Sequence, residues 1–424
     1  MEHERMNITE YEHGSMRLFA ARTGAKDLVT MQGSVLGGHY MLSRALDMVP
    51  RLASDVFDAG TKSRNKEAIR MALSARGASM HFSSGGDRTY FSATCLPEDV
   101  DFMAKLIAEC LREALFPTAE LSSQKKRTLA ELEESKTKTR GLASNEFFRL
   151  IYDRSHVNYV DTLPEYIART KKTERKDLLS YQKLLGKGGL VCAITGDIVP
   201  DVVLKKVERA FASLPGGTPV MTEKKQNTEK PRAKESEIAV PDKANIDVFM
   251  GAHVPLTYDS PEFLSFTVLT DMLGGRGLSG GHLMRTIRER DGLTYGIYAS
   301  AVGFGGRADG ALQVGATFSP ATYQKAVEAT EKEIRVFLDK GITESALQAK
   351  KGEMTGKYVV GLATSGGLAG KLHTIGVREK PLSYIDEYPS LIKALSVRDI
   401  RNAATLVPWD SFVVSAAGTF ENKK

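Results

Sequence analysis

The sequence has few cysteines, and none is spaced for a disulfide framework or a redox motif. Only three occur in 424 residues, Cys95, Cys110 and Cys192, and each lies in an apolar string without a C-x-x-C spacing. We therefore expect buried, unpaired thiols that pack as small hydrophobic side chains.

Long apolar runs are also absent. No stretch of 18 apolar residues occurs, so the sequence predicts no membrane span. The first residues, MEHERMNITEYEHG, lack the apolar core that a secretory signal carries. We expect a soluble chain without a signal peptide, and this leaves the compartment open between bacterial cytoplasm and periplasm.

The excess of positive charge is small. The chain has 58 Lys and Arg against 52 Asp and Glu, a net charge of +6. The basic clusters KKTERK and KPRAK lie between periodic segments, where solvated loops are the simpler interpretation. Since nucleic-acid binding requires a clustered basic face, we expect no nucleic-acid partner.

Common catalytic motifs are missing as well. The sequence contains neither a G-x-S-x-G elbow nor a G-x-x-x-x-G-K-[ST] phosphate loop. Its eight histidines do not pair at the helical spacing that would let two of them bind one metal ion. Each is better explained as a surface or packed histidine: His3, His13, His39, His81, His156, His253, His282 and His373.

A chain of this length exceeds one ordinary core, and its composition places a boundary near the middle. Residues 213–245 are rich in Lys, Glu, Pro and Gly and have no sustained apolar period, as is typical of a linker. We predict an N-terminal domain at 1–216, a linker at 217–243 and a C-terminal domain at 244–424.

Both halves contain the same series of predicted elements: a strand, a helix, a β-hairpin, a second helix and a final strand. An internal duplication explains this series. We predict an α+β fold (α/β sandwich-like) of two homologous domains, each a mostly antiparallel sheet covered by helices. The elements are predicted at 27–38, 41–58, 79–95, 97–116 and 188–198, and then at 246–255, 261–275, 293–319, 321–341 and 411–420.

The stretch PRLASDVFDAGT, residues 50–61, has the frame of a metal-binding helix without its ligands. In the inverted zinc motif H-x-x-E-H, two His ligands share one helix face and the Glu activates the bound water. With its continuation to Phe82, the stretch resembles the first domain of the pitrilysin/insulinase zinc peptidases. The resemblance places the two His positions at Arg51 and Asp55 and the Glu position at Ser54.

The second glutamate of that family's zinc site corresponds to Glu131, with Glu133 close by. One remaining carboxylate cannot hold zinc without the imidazoles, and a cationic side chain at a ligand position repels the ion. We expect no metal and no other cofactor in this chain.

The second half keeps a motif of the same family. The stretch LGGRGLSGGHLMRTIRERDGLTYGIYAS, residues 273–300, resembles its Gly-rich segment followed by L-x-x-x-[IL]-R-E-x-x-G-L-x-Y. The resemblance assigns Arg288 and Tyr295 to the substrate carbonyl oxygen, where negative charge develops during peptide hydrolysis. It also places Gly274, Gly275 and Gly277 where relatives contact substrate.

Changed zinc ligands beside a retained Arg/Tyr pair resemble the two-chain branch of the family, which includes the mitochondrial processing peptidase. There one subunit carries zinc, the other does not, and the dimer encloses extended peptides. The resemblance implies a zinc-free subunit forming half of a clamshell, with zinc in the partner and Arg288 and Tyr295 acting in trans on unfolded peptides. Substrates in this family add as strands to a sheet edge.

Two alternatives remain open at this stage. The chain could be a purely structural subunit, as the core subunits of the respiratory bc1 complex are within this family. It could also be a self-sufficient hydrolase with an unrecognised site. The Arg/Tyr pair argues against the first alternative, and the changed motif helix argues against the second.

Overall fold

The computed structural model describes residues 7–216, 234–275 and 280–420, which form two β-sheets and their covering helices. The predicted α+β fold with mostly antiparallel sheets is confirmed. The three cysteines are free and buried, as predicted.

The first sheet has six strands, and the second has five. Those of the first are β1 Ile8–His13, β2 Met16–Arg22, β3 Val29–Leu36, β4 Ser79–Gly85, β5 Arg88–Cys95 and β6 Val191–Gly196. Those of the second are β7 Glu235–Ala239, β8 Ile246–Val254, β9 Thr294–Val302, β10 Gly310–Phe318 and β11 Val413–Gly418.

The α-helices of the described residues divide between the two halves of the chain. Those before the second sheet are α1 Met48–Ser54, α2 Lys66–Ser74, α3 Val100–Glu113, α4 Thr118–Ser135, α5 Thr139–Ile151, α6 Leu163–Lys172, α7 Arg175–Gln182 and α8 Pro200–Phe211. The later ones are α9 Phe263–Gly274, α10 Tyr323–Val336, α11 Glu344–Leu362, α12 Ser365–Val377, α13 Tyr384–Ala394 and α14 Val397–Ala404. Two π-helical segments lie at Met284–Arg290 and Phe337–Gly341.

The two sheets share one topology, which supports the predicted duplication. Their strand orders are β1-β2-β6-β3-β5-β4 and β7-β11-β8-β10-β9. In each sheet the last strand in sequence pairs parallel to the first strand of the common core, β2 with β6 and β7 with β11. The other core pairings are antiparallel, and the strand β1 is an addition to the first sheet.

Both predicted hairpins are present. In the first, β4 and β5 pair from Gly85 opposite Arg88, which leaves the two-residue loop Gly86–Asp87. Gly86 has φ +58°, a conformation that glycine adopts without a steric penalty. In the second hairpin, β9 and β10 pair antiparallel.

In two places the local structure differs from the expected elements. The helix expected at 41–58 is a regular α-helix only from Met48 to Ser54, because short 3₁₀ turns at His39–Met41 and Arg44–Leu46 precede it. Of the linker expected at 217–243, residues 217–233 lie outside the described residues. The part that follows them contains β7, whose partner β11 comes from the far end of the chain.

The chain forms two units that are not continuous in sequence. Within the described residues, the first comprises 7–130, 166–216 and 357–388, and the second comprises 131–165, 234–275, 280–356 and 389–420. Each unit therefore contains a helical segment from the opposite half of the chain.

The sheet of the first unit is buried on both faces. Successive residues of β2 alternate between two apolar clusters: Leu18 and Ala20 pack with residues of α3 and α8, while Phe19 and Ala21 pack with α12. Helix α12 lies close to the strands, since a Cβ on Gly376 would come within 2.5 Å of a methyl carbon of Val191. A helix from the C-terminal half thus covers the second face of the N-terminal sheet.

The second unit shows the reciprocal arrangement. Helix α5, from the N-terminal half, packs on β8 and β11. Its buried residues Phe147 and Ile151 belong to one apolar cluster with Phe249 and Val413 of the sheet. Each sheet therefore depends on a helix that the other half of the chain supplies.

A hydrogen-bonded group fixes α12 to the first sheet. The Ser34 hydroxyl on β3 lies 2.8 Å from Nε2 of His373 on α12, and Arg88 Nε donates to the same hydroxyl at 2.6 Å. Because the Ser34 oxygen accepts from Arg88, its hydroxyl hydrogen can be donated to Nε2 of a neutral His373 ring. Burial and, second, the positive charge of Arg88 lower the pKa of His373 to about 4.

We expect that the fragment 1–243 will not fold by itself, because it lacks α12 and exposes the apolar face of its sheet around Phe19 and Val191. Coexpression with 244–424 should restore a soluble complex. Circular dichroism and denaturant unfolding of the fragment alone and of the pair test this. Cooperative unfolding of the fragment alone would contradict it.

Stability should depend on pH through His373. Because its pKa falls from 6.5 in the unfolded chain to about 4 in the folded chain, the unfolded chain binds more protons between these values. The contribution, on the order of 3 kcal/mol, is complete above pH 6.5 and is lost as the pH falls toward 4.

Urea unfolding at several pH values measures this dependence. His373→Gln should make the loss of stability between pH 6.5 and 4 smaller, whereas His81→Gln, at an exposed position on β4, should leave it as in the wild type. An equal slope in wild type and His373→Gln would show that His373 is not responsible.

Candidate functional site

The changed metal motif lies on α1 and at its C-terminal end. Val49, Leu52 and Ala53 bury one face of the helix in the core, while Arg51 is exposed. Asp55 follows as the C-cap, and its backbone N–H donates to the Arg51 carbonyl. The helix keeps its place through apolar packing, which does not require ligands at the motif positions.

The side chains at these positions do not fit a zinc ion. Asp55 Oδ2 accepts a hydrogen bond of 2.6 Å from Gln124 Nε2, and Gln124 is itself buried on α4. The Ser54 side chain is 5% exposed, and its hydroxyl has no hydrogen-bond partner among the described residues. Arg51 brings a positive charge where the motif requires a neutral imidazole.

Glu131 is an exposed residue near the end of α4, and its carbonyl accepts a hydrogen bond from Ser135 Oγ at 2.7 Å. Across residues 7–216, 234–275 and 280–420, no three His, Cys, Asp or Glu side chains are arranged to hold a metal ion. The structure therefore offers no alternative metal centre within these ranges.

Arg288 lies in the π-helical segment Met284–Arg290. The segment ends with a bond from the Asp291 N–H to the Thr286 carbonyl, five residues earlier, at 3.0 Å. Single π turns of this kind are rare and are frequent at functional sites. The Arg288 side chain is exposed and contacts the Met284 sulfur at 3.6 Å.

Tyr295 lies on β9 at a second irregularity of the backbone. Between the pairs Ile297 with Ala316 and Thr294 with Phe318, β9 contains one residue more than β10, which is the pattern of a β-bulge. Bulges re-aim side chains, and the Tyr295 side chain is 92% exposed.

The glycines of the preceding stretch have a packing role. A Cβ on Gly274 would lie 2.4 Å from the Ala299 backbone nitrogen, and one on Gly281 would lie 2.4 Å from the Cα of Gly274. Gly275 ends α9, and a Cβ there would collide with the Asp271 carboxylate. Close backbone contact explains these glycines, while Gly277 lies outside the described residues.

Several buried polar groups of the second unit did not emerge from the sequence. Asp309 bridges two histidines: His156 Nε2 lies 2.6 Å from one carboxylate oxygen and His253 Nε2 lies 2.5 Å from the other. His156 Nδ1 accepts the Asn158 N–H at 3.1 Å, so Nε2 carries the hydrogen that bonds Asp309. Burial opposes ionisation of Asp309, but the hydrogen bonds from the two histidines outweigh burial and hold the pKa of Asp309 well below its usual range.

A second such group surrounds the π-helical segment. Glu333 of α10 accepts hydrogen bonds from His282 and Arg290, which flank Arg288 in sequence. Histidine spacing alone could not reveal either group, because the acidic partners lie 51 and 153 residues away in sequence.

Two family profiles match the chain. One described as "Insulinase (Peptidase family M16)" matches residues 54–157, and one described as "Peptidase M16 inactive domain" matches residues 174–354. Together they cover about two thirds of the chain. This chain therefore belongs to the insulinase family of peptidases, family M16, as the motifs at 50–82 and 273–300 indicated.

The similar proteins carry differing descriptions. A "Non-peptidase homolog YmxG" of Helicobacter pylori is 22% identical over 362 residues, covering 83% of this chain and 80% of that protein. An uncharacterized zinc protease of Streptomyces coelicolor is 22% identical over 376 residues, with 86% and 79% covered.

Among solved structures, a peptidase M16 inactive domain from Pseudomonas fluorescens has a TM-score of 0.87 at 21% identity. The match covers 99% of this chain and 100% of that one, and it establishes the fold. In the part of the chain that the structure describes, no helix is both long and apolar enough to cross a membrane.

Gly274→Ala should lower the free energy of unfolding by about 1–3 kcal/mol, because the added methyl group meets the backbone of β9. Gly296→Ala on β9 is the control, since a Cβ there meets no atom within 4 Å. Denaturant unfolding of both variants measures the difference, and equal stabilities would contradict the packing role of Gly274.

Proposed function

We propose that this chain is the zinc-free subunit of a heterodimeric zinc metallopeptidase that hydrolyses unfolded peptides. The observation that carries the proposal is the exposure of Arg288 and Tyr295, each at a backbone irregularity, on a chain whose motif positions do not fit zinc. The name of the H. pylori relative, a non-peptidase homolog, supports only the part of the proposal that this chain lacks its own catalytic zinc.

In this proposal Arg288 and Tyr295 act in trans. The guanidinium supplies a permanent charge and several donors, and the phenol supplies one neutral donor. Both would donate hydrogen bonds to the substrate carbonyl oxygen as negative charge develops on it at the partner's zinc site. Neither side chain needs to move a proton in this role.

Peptide binding would use the sheet edge and the chamber that the two subunits form together. Strand β4 ends the order of the first sheet and pairs with β5 alone among the described strands. An extended peptide can add to such an edge through backbone hydrogen bonds, which gives a loose sequence preference. The proposal also keeps Gly274, Gly275 and Gly277, in the C-terminal domain at 244–424, close to the substrate. The two domains of this chain together would form half of the clamshell.

The alternative with support is a purely structural subunit, because a protein called a non-peptidase homolog need not take part in hydrolysis at all. The two functions differ in whether Arg288 and Tyr295 affect the rate of hydrolysis.

Hydrolysis of a quenched unstructured peptide tests the proposal. The assay compares this chain alone, a family chain that retains the H-x-x-E-H helix, and their mixture. We expect activity only in the mixture, with Arg288→Ala lowering kcat about 100-fold, as for loss of one oxyanion donor, and Tyr295→Phe lowering it less. Arg285→Ala, an exposed arginine on the same π-helical segment, should have no effect.

Each other outcome has a clear meaning. Unchanged activity in the Arg288→Ala mixture would identify a structural subunit. Activity of this chain alone that persists in chelator would identify a self-sufficient hydrolase.

A further inference from the structure

One carboxylate joins both ends of the π-helical segment Met284–Arg290 to helix α10. Glu333 Oε2 lies 2.9 Å from Nε2 of His282, two residues before the segment begins. Glu333 Oε1 accepts a hydrogen bond of 3.0 Å from Nη2 of Arg290, the last residue of the segment. Glu333 is 9% exposed and the His282 side chain is 17% exposed, so their contact is largely buried, whereas the Arg290 side chain is 55% exposed.

The charges in this group are well defined. Burial opposes ionisation of Glu333, but hydrogen bonds from Arg290 and His282 outweigh it and hold its pKa below the ordinary value. Glu333 is therefore a carboxylate that only accepts, and His282 Nε2 must be the donor. A charge-assisted pair of this kind is stronger than a neutral hydrogen bond.

The segment needs such support, because π geometry is less favourable than α geometry and persists where surrounding contacts hold it. Three further bonds fix its ends: Thr286 Oγ1 donates to the His282 carbonyl at 3.0 Å, and Arg290 donates two bonds to Asp291 at 2.7 and 2.8 Å. Of these groups, Glu333 alone comes from a different element.

Arg288 lies between the two anchored residues. Its exposed guanidinium contacts the Met284 sulfur, a weak acceptor, so its position depends on the backbone that carries it. Arg288 lies inside the π turn that the Asp291 N–H to Thr286 carbonyl bond closes. A return to α geometry would change the rotation of each residue of the turn around the helix axis. Arg288 would then point elsewhere.

We propose that Glu333 is a positioning residue that holds the π-helical segment and thereby orients Arg288. The link to catalysis rests on the proposed function of Arg288, whereas the link to the segment does not. The two parts can be tested separately.

Hydrogen exchange of this chain alone tests the structural part. Glu333→Ala should make the amides of 284–293 exchange about tenfold faster or more, because the segment loses both anchors. Glu333→Gln removes the charge but keeps the side-chain shape, and the same measurement is made on this variant if Glu333→Ala does not fold. Glu328→Ala, an exposed glutamate on the same helix, is the control. Unchanged exchange in both Glu333 variants would overturn the proposal.

A double-mutant cycle in the mixed-chain peptide assay tests the catalytic part. Glu333→Ala should lower kcat about tenfold with little change in KM, and it should cause no further loss in an Arg288→Ala background. Equal loss in both backgrounds would show that Glu333 does not act through Arg288. If Arg288→Ala itself has no effect, the proposed function fails, and the exchange experiment alone decides the role of Glu333.

Discussion

The fold depends on the covering of both faces of each sheet. An amphipathic sheet can leave one face in water, but β2 and β6 carry apolar residues on both faces. Helix α12 covers the second face of the first sheet, and α5 does the same for the second sheet, each coming from the opposite half of the chain. Because the exchange is reciprocal, neither half can bury its apolar surface by itself.

This arrangement explains how the metal motif could change without loss of the fold. Val49, Leu52 and Ala53 face the core and hold helix α1 in place. This packing does not depend on metal-binding side chains at the motif positions. Gln124 satisfies Asp55 by a direct hydrogen bond. Helix α1 therefore keeps its place without a metal ion at the motif positions.

The Arg/Tyr region has a different character. Gly274 packs tightly against β9. The residues that follow depart twice from regular backbone geometry, in the π-helical segment that contains Arg288 and at the bulge beside Tyr295. Such irregularities re-aim side chains, and the role that we propose for Arg288 and Tyr295 requires donors with a fixed direction. Glu333 connects this irregular segment to a regular helix.

The two hairpins, the repeated order of elements and the family motifs could be predicted from the sequence, because alternation, turn chemistry and spacing are local. The sequence did not predict β7, whose charged segment ESEIA becomes a strand only beside β11, or the short α1, which competes with 3₁₀ turns. The apolar face of a helix does not indicate which sheet the helix covers. That α5 covers the second sheet and α12 the first is therefore visible only in the tertiary structure. The same holds for Asp309 and Glu333, since a buried carboxylate is recognisable only when folding brings its distant partners within hydrogen-bond distance.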